Sequence, residues 1–165
     1  MRAFRLVLKK FGTDAQAAFS GLSGHSADGR WHAAPRLLDY AAESRSLAAL
    51  ERLVHYKRFD HLAPHRLYEI QVPESAILPL PAVPAGWNGP DLLPAAQAEG
   101  NRWCDGALSP ALLVPSAVTP GEHNLLINAR HPDWRWSWVD AGQPFSFDQR
   151  LVTLLGVAAV KRRKP

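Results

Sequence analysis

A single cysteine, Cys104, stands in a chain of 165 residues, so no disulfide can form within it. That usage fits a reducing compartment. No apolar run approaches the roughly twenty residues that cross a bilayer, and the N-terminus lacks the apolar core of a signal peptide, so the expected location is the cytoplasm with no membrane contact. G-x-G-x-x-G and G-x-x-x-x-G-K-[ST] are both missing, which removes the usual dinucleotide turn and the P-loop. G-x-S-x-G is missing too, so a nucleophile elbow is not supported. The seven histidines form no H-x-x-x-H helix: His61 and His65 have the interval, but Pro64 lies between them, and no metal is expected.

What is present is a chain that can bury a core. Hydrophobic residues make up 47% and charged residues 21%, with six tryptophans, which argues against global disorder. At this length one domain is expected, over residues 1–160, followed by a basic tail at 161–165. The net charge of +4 is concentrated at the ends, in Arg2, Arg5, Lys9 and Lys10 and in the closing "KRRKP", so the middle is net acidic. A basic stripe for nucleic acid would require the ends to meet. A solvated tail and a charged edge strand are the preferred reading, without direct nucleic-acid binding.

Fourteen prolines and eleven glycines indicate many turns. "AFRLVL" (3–8) and "RLLDYAA" (36–42) read as strands, and a short helix is expected around 14–19, followed by a polar glycine-rich loop at 21–29. A helix from Ser46 to Phe59 has Ser44 or Ser46 as N-cap. "HRLYEIQVP" alternates at Tyr68, Ile70 and Val72, a strand with one buried face. Prolines forbid long elements between Pro73 and Pro94, and a brief helix follows at 95–103. "ALLVPSAV", "HNLLINA", "RWSWVD" and "LVTLLGVAAV" complete the strand candidates. The fold class is α+β.

Four residues invite chemistry. In the helix, Leu47, Leu50, Leu53 and Val54 define an apolar arc with Glu51 on its edge. Glu51 is either solvated and paired with Arg45, Arg52 or His55, or a carboxylate aimed into a cleft. Arg30 follows the glycine-rich loop, where its fork suits phosphate or carboxylate, or alternatively stacks on Trp31. Tyr40 ends a strand, either stacking on a ligand or as an ordinary half-buried tyrosine. Ser116, beside Pro115 at a strand end, reads as a hydrogen-bonding residue.

In order along the chain, "GRWH" with Arg30, "LLDYAAES" with Tyr40, "SLAALE" with Glu51, "LLVPSAV" with Ser116, "NLLINARHPDW" and "FSFDQRL" resemble the RES domain family of bacterial toxins. Two departures stand out: His32 occupies the family's asparagine position, and "SADGR" has one glycine before the arginine where the family often has two. The resemblance implies a mixed, split β core with short helices, like that of ADP-ribosyltransferases. It implies an enzyme that takes NAD as substrate, with no retained cofactor, and breaks the nicotinamide–ribose bond with inorganic phosphate or water as acceptor. Protein ADP-ribosylation is the alternative. Arg30, Tyr40, Glu51 and Ser116 would be catalytic, and Arg30, Trp31, Tyr40, Ser116 and Asn128 would contact NAD. In this expectation Arg30 grips phosphate, Tyr40 packs on the nicotinamide ribose or ring, and Ser116 hydrogen-bonds the nicotinamide half. The implied partner is a cognate helix-turn-helix antitoxin that covers the cleft, with a homodimer inside the complex.

Overall fold

The computed structural model describes residues 1–55, 63–151 and 153. In chain order it comprises β1 (Arg2–Leu8), α1 (Ala15–Ala18), α2 (Leu22–Ser26), β2 (Asp39–Ala42), α3 (Arg45–Val54), β3 (His65–Gln71), β4 (Ile77–Pro79), α4 (Pro94–Asp105), β5 (Ala111–Pro115), β6 (His123–Ile127) and β7 (Gln143–Phe145). Single 3-10 turns occupy Glu74–Ala76 and Trp136–Trp138. The strands form one seven-stranded sheet in the order β4-β5-β6-β2-β1-β3-β7. Among the described strands, only β4 and β5 pair in parallel. The α+β architecture with a mixed, split sheet is the one expected.

The split lies between β1 and β2. The β1 and β3 strands pair along their whole lengths, from Arg2 opposite Gln71 to Leu8 opposite His65, and β2 pairs with β6 from Asp39 opposite Ile127 to Ala42 opposite Asn124. Between β1 and β2, Phe4 opposite Ala42 is the only registered pair. Arg5 occupies the seam: Nη1 donates to the Tyr40 carbonyl at 2.9 Å, Nε to the Ala18 carbonyl at 2.7 Å and Nη2 to Asp39 Oδ1 at 2.7 Å. The Tyr40 carbonyl, available to a neighbouring strand in a continuous sheet, is thus taken by a side chain. Asp39 also accepts from Ser23 Oγ and from the Gly21 amide, both at 2.7 Å, so one carboxylate ties β1, β2 and the start of α2 together.

Alternation along the strands divides the core between two faces. Ala3, Val7, Ala41, Tyr68, Ile70, Leu125 and Ile127 pack with Phe19 and Trp134 on one face. The other face carries two clusters. Trp31, Leu38, Leu112, Val114 and Leu126 pack with Ala96 and Trp103 of α4. Phe4, Leu6, Ala42 and Leu67 pack with Leu47 and Ala48 of α3. Gly100 lets α4 approach closely, since a Cβ there would lie 1.8 Å from the Trp31 carbonyl oxygen.

Several sequence expectations change. The α3 helix starts at Arg45 with Ser44 as N-cap, its hydroxyl accepting from the Leu47 amide at 3.0 Å, and ends at Val54. The expected extension to Phe59 lies outside the described residues. Its inward face is Leu47 and Ala48, while Leu50 and Val54 are 44% and 59% exposed, so the predicted apolar arc is rotated. Small Ala48 admits the sheet, and the turn below it turns Glu51 inward. "RLLDYAA" is strand only from Asp39, because Leu38 bonds back to the Arg36 carbonyl. β3 is buried on both faces, with Tyr68 and Ile70 in the cluster on one face and Leu67 packed with α3 residues on the other. The expected strand at "RWSWVD" is the 3-10 turn, with Val139 alone bridging Ile70. The loop at 21–29 contains α2, and α4 exceeds the brief helix expected. Leu151 and Thr153 are helical rather than extended; the remainder of "LVTLLGVAAV" and the basic tail lie outside the described residues.

Arg5 and Asp39 have side chains only 11% and 1% exposed. Removing one partner of such a pair leaves a buried charge uncompensated, at a cost of about 3–5 kcal/mol. Asp39→Ala should therefore lower Tm by about 10 °C in a chain of this size. Thermal unfolding followed by circular dichroism checks this, and an unchanged Tm would contradict the role given to the seam.

Candidate active site

Glu51 lies on the inward face of α3, one turn after Leu47, at the junction of the two clusters on the second face. Its Oε1 accepts from Asn124 Nδ2 at 2.6 Å and from Ser116 Oγ at 2.8 Å. It does not pair with the arginines expected: Arg45 bonds to Glu69, and Arg52 Nε approaches His65 Nε2 at 3.4 Å. Both donors converge on one oxygen, leaving Oε2 without a hydrogen bond among the described residues. The carboxylate is thereby oriented by one edge and offered by the other.

Ser116 follows the last residue of β5, where Pro115 closes the strand. Its hydroxyl oxygen accepts from the Val118 amide at 3.0 Å and the Thr119 amide at 3.2 Å, while its single hydrogen goes to Glu51. In this arrangement the Ser116 hydroxyl hydrogen is directed at Glu51. Asn124, the second residue of β6, lies opposite Ala42 and is buried. Sequence reasoning assigned Asn124 to a matching segment without a role. The available signal was an asparagine directly before the apolar run Leu125–Ile127.

Tyr40 lies on the same sheet face, opposite Leu126. Its hydroxyl is 2.8 Å from His32 Nδ1 and 3.4 Å from the Trp31 amide. Burial raises its pKa well above the ordinary phenol value; the Glu51 charge raises it further and the Arg30 charge opposes that, so the phenol stays neutral between a carboxylate and a guanidinium. His32 is buried, with Nε2 3.1 Å from the Gly24 carbonyl. Desolvation lowers its pKa.

Arg30 Nη1 donates to the carbonyls of Trp87 at 2.6 Å and Gly89 at 3.0 Å, and lies 3.5 Å from that of Asp91. Nε and Nη2 make no hydrogen bond among the described residues. Arg30 does not stack on Trp31, which packs against Trp87 with ring centroids 5.1 Å apart. Trp31 is 2% exposed, and its Nε1 donates to the Pro115 carbonyl at 3.3 Å, so its ring belongs to the core beneath the site. Asn128 lies beyond the far end of β6, about 13 Å along the strand direction from Asn124. There its Oδ1 accepts from the Arg130 amide. The structure thus gathers Arg30, Tyr40, Glu51 and Ser116, puts Trp31 behind them, and leaves Asn128 apart.

The RES domain family model matches residues 2–148. A "Toxin Res" of Yersinia enterocolitica is 33% identical over 156 residues, covering 92% of this chain and 99% of that protein. Another "Toxin Res", from Pseudomonas putida, is 38% identical over 141 residues, covering 83% and 94%. A "Prs ADP-ribosylating toxin" of Sphingobium is 33% identical over 138 residues, covering 81% and 86%. The solved M. tuberculosis MbcT–MbcA toxin–antitoxin complex contains a chain with a TM-score of 0.66 at 20% identity, covering 94% of this chain and 88% of that one, a likeness of fold.

Gly29 is the tightest point of the Tyr40 support. A Cβ there would lie 2.6 Å from the His32 ring and 2.7 Å from the Tyr40 hydroxyl. Gly29→Ala forces both rings to shift, with an expected cost of about 1–3 kcal/mol. Denaturant unfolding measures the cost and near-UV circular dichroism the displaced aromatics; a variant matching the parent in both would contradict the packing described.

Proposed function

The chain belongs to the RES domain family, and on that premise we propose that it is the toxin of a toxin–antitoxin pair that consumes NAD by cleaving the nicotinamide–ribose bond. The observation that carries the proposal is the held carboxylate of Glu51, with Ser116 and Asn124 on Oε1 and no hydrogen bond on Oε2 among the described residues. As the C–N bond breaks, its electron pair leaves with neutral nicotinamide and positive charge develops on the ribose. A fixed carboxylate stabilises that charge without having to reorganise. No strong acid is required, because the leaving group starts as a pyridinium.

Water adding to the anomeric carbon gives ADP-ribose and a proton; inorganic phosphate gives ADP-ribose 1''-phosphate. The open face of Arg30 would take the pyrophosphate or the incoming phosphate. Tyr40 would pack on the nicotinamide ribose or ring. Ser116 holds Glu51 in place and is a positioning residue in this scheme. The second reading is transfer of ADP-ribose to a protein, favoured by the likeness to the Sphingobium ADP-ribosylating toxin. Such an enzyme, acting in the cytoplasm, needs restraint by a cognate helix-turn-helix antitoxin placed over residues 21–31, where an acidic group would compete with phosphate for Arg30. The likeness to a chain of the M. tuberculosis toxin–antitoxin complex supports an antitoxin partner; its helix-turn-helix nature and a toxin homodimer inside the complex are part of the proposal.

Purified protein mixed with NAD should release nicotinamide, and mass spectrometry with phosphate, without it, and with a protein extract distinguishes the three acceptors. Glu51→Gln keeps an oxygen for Ser116 and Asn124 but removes the charge, so it should fold and lose most activity. Ser116→Ala removes a hydrogen bond to a charged group and should slow release about 10- to 100-fold. No nicotinamide from folded parent under any of these conditions, or full activity in Glu51→Gln, would refute the proposal.

A further inference from the structure

We infer that His32 is a positioning residue that turns the Tyr40 hydroxyl hydrogen away from the ligand, so that Tyr40 offers NAD an acceptor oxygen and an aromatic ring. The inference rests on the proposed contact between Tyr40 and NAD. It starts from the Gly24 carbonyl, which can only accept a hydrogen bond. His32 Nε2, 3.1 Å away, therefore carries the ring hydrogen. A neutral imidazole has one such hydrogen, so Nδ1 is an acceptor, and the Tyr40 hydroxyl at 2.8 Å donates to it. The Trp31 amide approaches the same hydroxyl oxygen at 3.4 Å from the backbone side. What Tyr40 retains for a ligand is lone-pair density.

That polarity selects chemistry. A ribose hydroxyl or a carboxamide N–H can donate to Tyr40, whereas a phosphate oxygen meets repulsion there and is left to Arg30. The arrangement is held from the backbone: the Gly29 amide donates to the His32 carbonyl at 2.9 Å, and Gln97 Nε2 donates to the carbonyls of Gly29 and His32 at 3.0 and 3.2 Å. An asparagine at position 32, the residue of the family pattern, would put Oδ1 one bond beyond Cγ, as Nδ1 is in histidine. Both side chains can accept from Tyr40, but only histidine can lose that capacity by taking up a proton.

The groups facing the ring are the Gly24 and Ala27 backbone and Asp28, which favour the charged form, and Arg36, which opposes it together with the dominant desolvation. The folded pKa lies below the ordinary histidine value. The acceptor is therefore present at neutral pH and is lost as pH falls through that lowered value. Protonated His32 would donate from Nδ1, obliging the Tyr40 hydroxyl to rotate its hydrogen elsewhere.

Two measurements test this. Nitrogen–proton correlation spectra at pH 7, with His32 assigned by its disappearance in His32→Asn, should show a neutral ring protonated at Nε2; a ring protonated at Nδ1, or a cation, would overturn the inference. In nicotinamide release, His32→Leu should lose about tenfold or more in kcat. His32→Asn should restore most of that loss and lack the acid limb attributed to His32. Equal kcat in parent and His32→Leu, or an unchanged acid limb in His32→Asn, would overturn it. A parent with no nicotinamide release would refute the proposed activity, while the spectra would still decide the orientation of the hydroxyl.

Discussion

Arg5 and Asp39 meet in the one place where the sheet is not continuous. By taking the Tyr40 carbonyl, the guanidinium occupies a position that a neighbouring strand could otherwise use, and β1 and β2 register at a single pair. Asp39 neutralises the buried cation and collects the Gly21 amide and Ser23 hydroxyl. Everything proposed for function sits on the opposite face of this seam. The residue next to Asp39 is Tyr40, and α2, bound through its N-cap Gly21 and through Ser23, carries Gly24, whose carbonyl fixes the His32 tautomer. A fold that hydrogen-bonded β1 to β2 along their lengths would not place these groups in the same way.

The polar atoms above the seam divide into those already used and those left over. Glu51 Oε1, the Ser116 hydrogen and Arg30 Nη1 are engaged within the protein. Glu51 Oε2 and Arg30 Nε and Nη2 have no hydrogen bond among the described residues. The electrostatic influence of both Glu51 and Arg30 on Tyr40 ties the leftover anion and cation to a common locality. Their opposite signs suit opposite parts of one substrate: developing charge on a ribose at Glu51 and phosphate at Arg30. Preorganisation makes such an arrangement effective, because groups already held by the protein need not be ordered during the reaction.

Much of this was legible where a local pattern and a tertiary requirement coincide. The inward positions Tyr68 and Ile70 of β3 and the cap at Ser44 survive because each has a short-range physical cause, whereas burial of the second face of β3, at His65 and Leu67, depends on elements distant in sequence. Leu50 and Val54 misled because leucine and valine outrank alanine in any apolar count, yet the sheet admits the smaller Ala48. That choice depends on Phe4 and Ala42, distant in sequence. The site residues emerged through motifs and resemblance, but their connections did not. No spacing reveals that Ser116 and Asn124 would share one oxygen of Glu51, or that a histidine at position 32 would accept from Tyr40. Asn128 shows the reverse: it lies in a matching segment, yet its side chain stabilises a turn away from the carboxylate.

The central claim is that the Glu51 carboxylate acts on the nicotinamide ribose. A crystal structure of E51Q, stalled with intact NAD, addresses it most directly. The expected result is the nicotinamide ribose within hydrogen-bonding distance of the residue 51 side chain, the pyrophosphate on the open face of Arg30 and the Tyr40 ring against the nicotinamide half. NAD ordered elsewhere, with residue 51 out of reach of the ribose, would contradict the claim.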